Sequence, residues 1–307
     1  MQVPPTILRA GLRALRPLFT TDYVSLASKR RIVEAIAGAS KIPPGVITEP
    51  GLWGGVPVQR VTPPNALPNR TILFLHGGGY ASGSARGYRG LAGALAKAAG
   101  TEVILADYRL APEHPFPAAL EDALQIYREL ARQSTTIAVA GDSAGGGLTL
   151  ALAQRVRDIS LPRPAALGLI CPWLDLALDQ GGARAAGKDP LITPSLMSEW
   201  CSYYAGARNA SEPGISPIYG NLASLPPIVI HSAGDDPLAA DADALESKMA
   251  AHESSSLIHR RYTNRWHDFH LQVGFLADAD YAVDLFGRQL AKLMSRDPVT
   301  ERGRART

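Results

Sequence analysis

"VAGDSAGGGL", residues 139–148, sets four glycines around one serine, with an apolar run on either side. The run before it, "TTIAVAG" at 135–141, has the length and β-branched content of a short buried strand. The run after it, "GGLTLALAQRVRD", has the periodicity of a helix. A serine held between the two sits in a sharp, strained strand-to-helix turn that pushes its hydroxyl out above the sheet. Glycines at 141 and 145, two residues to either side, leave room for the tight approach. The same turn aims the first amides of the helix at whatever the serine attacks. No G-K-[ST] follows, so a phosphate-binding loop is the poorer reading.

Working outward, the same alternation continues along most of the chain. Strand candidates are "VPVQRVTP" (56–63), "TILFL" (71–75), "TEVILADY" (101–108), "AALGLICPW" (165–173), "PPIVIHSAG" (226–234) and "SSLIHRRYT" (255–263). Helical patterns fall at roughly 87–99, 117–132, 145–157, 239–252 and 279–294. Several strands are nearly all apolar, as strands covered on both faces must be, and the order predicts an α/β fold: a mainly parallel sheet of about eight strands flanked by helices.

Two regions break the rhythm. Residues 1–50 read as one or two amphipathic helices with no strand of their own, and residues about 175–225 form a long insertion with one helical stretch near 194–206. A connection of that length in a compact domain is more often a functional lid than slack. The two regions are expected to form a helical cap over the carboxyl edge of the sheet in residues 51–307, where open α/β sheets bind their ligands.

Bulk properties exclude other classes. The composition, 46% hydrophobic and 19% charged with a net charge of +3, is that of an ordinary globular protein. No basic face interleaved with aromatics marks a nucleic-acid reader, and Arg9, Arg13 and Arg16 at one end and Arg302, Arg304 and Arg306 at the other read as solvated faces. Cys171 and Cys201 lack metal-ligand spacing and read as buried thiols. Neither a signal-peptide core nor a membrane-spanning run is evident, which predicts a cytoplasmic location without membrane insertion. The cysteine spacing suggests no zinc site, and a homodimer is compatible with the pattern.

A serine hydroxyl near its ordinary pKa is a weak nucleophile, so a base must take its proton and a third group must orient the base. In the fold expected here the chain order is Ser, acid, His. "HSAGDDPLAAD" places Asp235 and Asp236 just past one strand, and "NRWHDFHLQ" places His267 and His270 past the next. His231 and His259 fall inside strands and read as packed or hydrogen-bonded histidines; His252 reads as a helix C-terminal residue. Acyl transfer also needs donors for the developing oxyanion, and "FLHGGGYASG" (74–83) offers a second glycine run after a strand, where side chains would otherwise block the carbonyl.

Five stretches together, "HGGGY" (76–80), "DYRLAPEHPFPAA" (107–119), "GDSAGG" (141–146), "GDDPL" (234–238) and "WHDF" (266–269), resemble the hormone-sensitive-lipase-like family of α/β-hydrolases. The resemblance covers roughly residues 55–295 and implies a serine carboxylesterase acting on small to medium acyl esters without a cofactor. It implies Ser143 as nucleophile, His267 as general base and acid, and Asp236 as the residue orienting it. The amides of Gly78, Gly79 and Ala144 are implied as the oxyanion hole, with Arg109 and Glu113 as scaffolding. The chain departs from the family at Ala240, beside Asp241, where an acid is usual, and at Asp268, where glycine is frequent. A charged Asp268 either raises the pKa of the imidazole or faces solvent. A lactone hydrolase or deacetylase built on the same residues, and a non-enzymatic small-molecule receptor, are the alternatives. Trp200, Tyr203 and Tyr204 are candidates either for an acyl pocket or for the packing of the insertion.

Overall fold

The protein is described here from a computed structural model, which covers residues 2–21, 23–133, 136–177, 188–250 and 256–295. Its centre is one eight-stranded sheet in the order β1-β2-β4-β3-β5-β6-β7-β8. The strands are β1 (Ile47–Trp53), β2 (Val56–Thr62), β3 (Arg70–Leu75), β4 (Glu102–Ala106), β5 (Thr136–Asp142), β6 (Ala166–Ile170), β7 (Ile228–Ala233) and β8 (Leu257–Tyr262). β1 pairs with β2 and β2 with β4 antiparallel, and every other pair is parallel.

β3 shows why the central strands read as continuous apolar runs. Leu73 and Leu75 enter the core on one face and Ile72 and Phe74 the core on the other, all four fully buried. Each such side chain contributes about 1.5–3 kcal/mol of transfer free energy, and a polar residue at any of the four would lose it. Helices α4 (Arg89–Ala99) and α9 (Ala277–Met294) contribute to the second core, and α5 (Ala118–Arg132) and α6 (Ala144–Asp158) to the first.

One strand has no counterpart in the pattern reading. β1 begins at Ile47, inside the segment expected to hold helices alone, and its sequence "ITEPGLW" contains a proline and a glycine that normally break strands. Both are tolerated because β1 is the outermost strand and no residue of it is fully buried. The segment before it forms three helices: α1 (Pro5–Leu15), the single turn α2 (Pro17–Thr20) and α3 (Leu26–Ala37). The helix expected near 194–206 is α7 (Pro194–Ala205), started by Thr193, whose side chain accepts from the Leu196 amide. α8 (Ala239–Met249) follows β7. His252 and the arginines at 302, 304 and 306 lie outside the described residues. Among those described, no helix is long and apolar enough to cross a membrane.

The strand order locates the reaction edge. From β3 the chain crosses to β4 on one side and then back past β3 to β5 on the other, so the order reverses between β3 and β5. Open α/β sheets bind ligands in the crevice outside the carboxyl ends at such a reversal. The two glycine runs leave the sheet there, with Leu75 and Gly141 paired in register at the ends of β3 and β5.

Candidate active site

Ser143 occupies φ 51° and ψ −121° between β5 and α6, a backbone conformation that costs about 1–3 kcal/mol in a residue with a side chain. The surrounding bonds hold it there. Its amide donates to the Ile170 carbonyl (2.8 Å), and its carbonyl accepts from Trp173 (2.9 Å) and Gly147 (3.1 Å). Gly145 is required for contact rather than for dihedral freedom: a Cβ there would collide with the Leu75 and His76 carbonyl oxygens.

The structure brings three of the candidate residues into one line. Ser143 Oγ lies 2.9 Å from His267 Nε2, and His267 Nδ1 lies 2.9 Å from Asp236 Oδ2. The choice between neighbouring residues is also visible. Asp235 turns the other way, to an ion pair with Arg9 at 2.5 Å, while His270 is fully buried with its Nε2 3.4 Å from His231 Nδ1. Arg9 is therefore not a solvated residue as its position suggested: it also lies over the Trp266 ring, 5.2 Å from the centroid. The two strand histidines are packed, His231 against Phe286 and His259 through Ser232 Oγ at 2.7 Å.

The second glycine run wraps beside this line. Gly78 and Gly79 have φ of 110° and 63°, and the Gly78 carbonyl accepts from the amides of Ala81 and Ser82, closing the turn. Gly78 faces the same cavity as Ser143, Gly79 packs directly under the Trp200 indole, and Ala144 is buried at the start of α6. His76 of this run is scaffold. Its ring stacks on Tyr108 with centroids 4.3 Å apart, and Tyr108 donates to its carbonyl at 2.6 Å. Arg109 binds Asp122 and Glu113 binds Arg30, as scaffolding residues would. Cys171 and Cys201 are both buried and form no disulfide.

Two functional neighbours escaped the sequence reading. Asp142, inside the serine motif, ties the two glycine runs together: its Oδ1 accepts from the Gly77 amide and its Oδ2 from Tyr88, both at 2.8 Å. Asp189, from the insertion, accepts the His267 amide at 2.7 Å and the amides of Leu191 and Ile192. Nothing in the pattern around "GKDPLI" marked it, because the link spans 78 residues. Asp241, beside the family departure at Ala240, holds the amides of Leu174 and Asp175.

Electrostatically the histidine is surrounded by acids. Burial disfavours its charged form, yet Asp236 and Asp268 together outweigh that and hold His267 well above the ordinary histidine range. Asp268 does not face solvent: it is 7% exposed and its Oδ2 lies 3.1 Å from Nε2. Burial also pushes Asp142, Asp189 and the Cys171 thiol upward. The ligand-type atoms of Cys171, His267 and Asp268 lie within 4.8 Å of one another, but the imidazole is already committed to Ser143 and Asp236.

Ser143, His267 and Asp268 open onto a mainly apolar cavity of about 70 Å³. Its walls include Leu12, Phe19, Val33 and Ile36 from the N-terminal helices and Leu196 and Trp200 from α7. Tyr204 stacks face to face on Tyr80 at 3.7 Å and Tyr203 bonds Glu199, so of the three aromatic candidates named from the sequence Trp200 alone lines the cavity.

The family described as having the alpha/beta hydrolase fold matches residues 72–271. LipR of Mycobacterium tuberculosis, which carries an acetyl-hydrolase name, is 47% identical over 293 residues, 94% of this chain and 95% of its own. An acetyl-hydrolase of Streptomyces hygroscopicus is 35% identical, over 80% of this chain and 82% of its own. Among solved structures, the esterase EstE5 soaked with p-nitrophenyl butyrate superposes with a TM-score of 0.88 at 32% identity, covering 96% of this chain and all of its own. A hormone-sensitive lipase from a metagenome library gives 0.89 at 31%, with the same coverage.

Proposed function

Because the chain belongs to the α/β-hydrolase fold family, among its hormone-sensitive-lipase-like esterases, we propose that it hydrolyses carboxylic esters through Ser143, His267 and Asp236. The observation that carries this reading is the hydrogen-bonded line Asp236–His267–Ser143 at the mouth of an apolar cavity. His267 Nε2 takes the Ser143 proton as Oγ attacks the ester carbonyl, and the amides of Gly78, Gly79 and Ala144 meet the oxyanion. The imidazolium then gives that proton to the leaving alcohol, and a water activated by the same nitrogen clears the acyl-enzyme. Asp236 holds the tautomer with hydrogen on Nδ1 and stabilises the imidazolium.

The substrate side follows from size and surface. The small cavity and its aliphatic and indole walls favour acetyl and other short acyl groups, and the acetyl-hydrolase names of two relatives support the same reading. Helices α1 to α3 and the insertion carrying α7 serve as a cap that shields the acyl-enzyme from bulk water. The test compares wild type with Ser143→Ala on p-nitrophenyl esters from acetate to dodecanoate. Rapid turnover by wild type, best between acetate and butyrate, with the variant at the uncatalysed background, is expected. Indistinguishable proteins would overturn the nucleophile assignment.

A further inference from the structure

Asp268 is left over once the hydrolytic line is drawn. It follows His267 directly, sits in a left-handed conformation (φ 49°) and is buried, yet it touches the ring at the nitrogen opposite Asp236. Nε2 thus has two neighbours, Ser143 Oγ at 2.9 Å and Asp268 Oδ2 at 3.1 Å. The other carboxyl oxygen, Oδ1, accepts from no N–H or O–H donor among the described residues, and the neighbouring group on that carboxyl is a second buried acid, Asp142.

A ring nitrogen has one in-plane position, filled either by a lone pair or by an N–H. A carboxylate oxygen 3.1 Å from a lone pair would be repelled, so a proton belongs between Asp268 and Nε2. While it stays there, Nε2 cannot accept the serine proton. We infer that Asp268 is a second carboxylate on the base, which holds the Nε2 proton in the free enzyme and sets the pH above which His267 can activate Ser143. This rests on the reading of Ser143, His267 and Asp236 as the catalytic set.

The groups facing His267 from each neighbouring element support that role. Asp236 comes from the turn after β7, Asp189 from the insertion and Cys171 from the end of β6, while Asp142, at the end of β5 with Tyr88 bound to it, faces Asp268, and burial pushes both of these carboxyls upward. His270 lies behind, and burial keeps it well below the ordinary histidine range, hence neutral. Arg9 on α1 is spent on Asp235 and Trp266. Acids therefore dominate the surroundings of the ring. Proton balance through the cycle is simple: the Nε2 proton leaves to solvent when the pH rises, Ser143 then lends its own to Nε2, and that proton departs with the alcohol. Asp268 accepts a hydrogen bond from the transient imidazolium and is unchanged at the end.

Two carboxylates favour the imidazolium, so the acidic limb of kcat/KM lies above the ordinary histidine value; removing one moves the limb to lower pH. The experiment measures kcat/KM on p-nitrophenyl acetate from pH 5 to 10 for wild type, Asp268→Asn, Asp268→Gly and Asp268→Glu; asparagine and glycine both tolerate the left-handed conformation. In the Asn and Gly variants the limb should move down by about one pH unit or more. Well below the limb these variants should then exceed wild type, roughly tenfold for each pH unit by which the limb has moved, while Glu keeps the limb near the wild-type position. A purely structural role would lower the rate at all pH values without moving the limb. The low-field proton resonance of the His267 Nδ1–H bond to Asp236, followed with pH in the Ser143→Ala background with and without Asp268→Asn, reads the same equilibrium without turnover. It separates failure of this inference from failure of the esterase reading. Coincident titrations in the two proteins, or coincident limbs in wild type and both neutral variants, would overturn the inference.

Discussion

Gly79→Ala is a small change placed where the structure leaves no space for it. At φ +63° an alanine pays about 1–2 kcal/mol for the left-handed backbone. Its Cβ would also stand 2.8 Å from Trp200 Cγ and overlap the Cδ2 and Cε3 atoms of the same indole. Something must move. Trp200 is 5% exposed and packed in the core that α7 shares with the sheet; giving up a buried tryptophan costs about 3–5 kcal/mol. The glycine turn is held more lightly, by the Gly77 amide on Asp142 and by two amides on the Gly78 carbonyl. The turn should therefore yield, carrying the Gly78 and Gly79 amides away from the oxyanion. Losing one such donor costs about 3–4 kcal/mol, or 10²–10³ in kcat. The assay is kcat/KM on p-nitrophenyl acetate, with near-ultraviolet circular dichroism to show that the variant is folded. Trp200→Ala makes room for the Cβ, so the double variant should be at least about tenfold faster than Gly79→Ala while Trp200→Ala alone is no faster than wild type, a coupling of at least about 1.4 kcal/mol that independent sites would not show. A folded Gly79→Ala enzyme within threefold of wild type would refute the reasoning, and so would a double variant no faster than the single one.

Two neighbouring aspartates should separate cleanly. Asp236→Asn removes the acceptor on His267 Nδ1 and should lower kcat on the order of 10⁴-fold, whereas Asp235→Asn touches only the Arg9 pair and should stay within about threefold; comparable losses in both would reverse the assignment. Arg9→Ala removes a partly exposed ion pair, worth about 0.2–1 kcal/mol, and a cation–π contact of about 0.5–1 kcal/mol. Urea unfolding should show a deficit of about 1–2 kcal/mol in low salt that shrinks in 1 M salt as the ion pair is screened. An unchanged midpoint in low salt would show that the contact adds no stability.

The strands and helices that carry the site were legible because each has a strong local signal. β3, β5, β6 and β7 are short apolar runs, and β3, β5 and β7 lead into glycine- or aspartate-rich turns. Ser143 was legible for the same reason: strain at a strand-to-helix turn requires glycines at fixed offsets, and offsets survive in a string of letters. What stayed hidden is what depends on contact across long separations. Asp189 and His267 are 78 residues apart, Arg9 and Asp235 are 226 apart, and neither pair leaves a periodic trace. β1 stayed hidden for the opposite reason, since its local signal, a proline and a glycine, points away from strand and only the tolerance of an edge position overrides it.

Asp268 lies between these cases. Its position beside His267 was plain and its charge was plain, but adjacency in sequence does not decide on which side of a ring a carboxylate lands. The left-handed backbone at 268 decides it, turning the side chain back toward Nε2 and away from solvent. A glycine at that place would make the same turn with no charge. The residue that departs from the family pattern thus keeps the backbone geometry and changes the electrostatics. Such a substitution adjusts the proton affinity of a base while leaving its alignment with Ser143 and Asp236 in place.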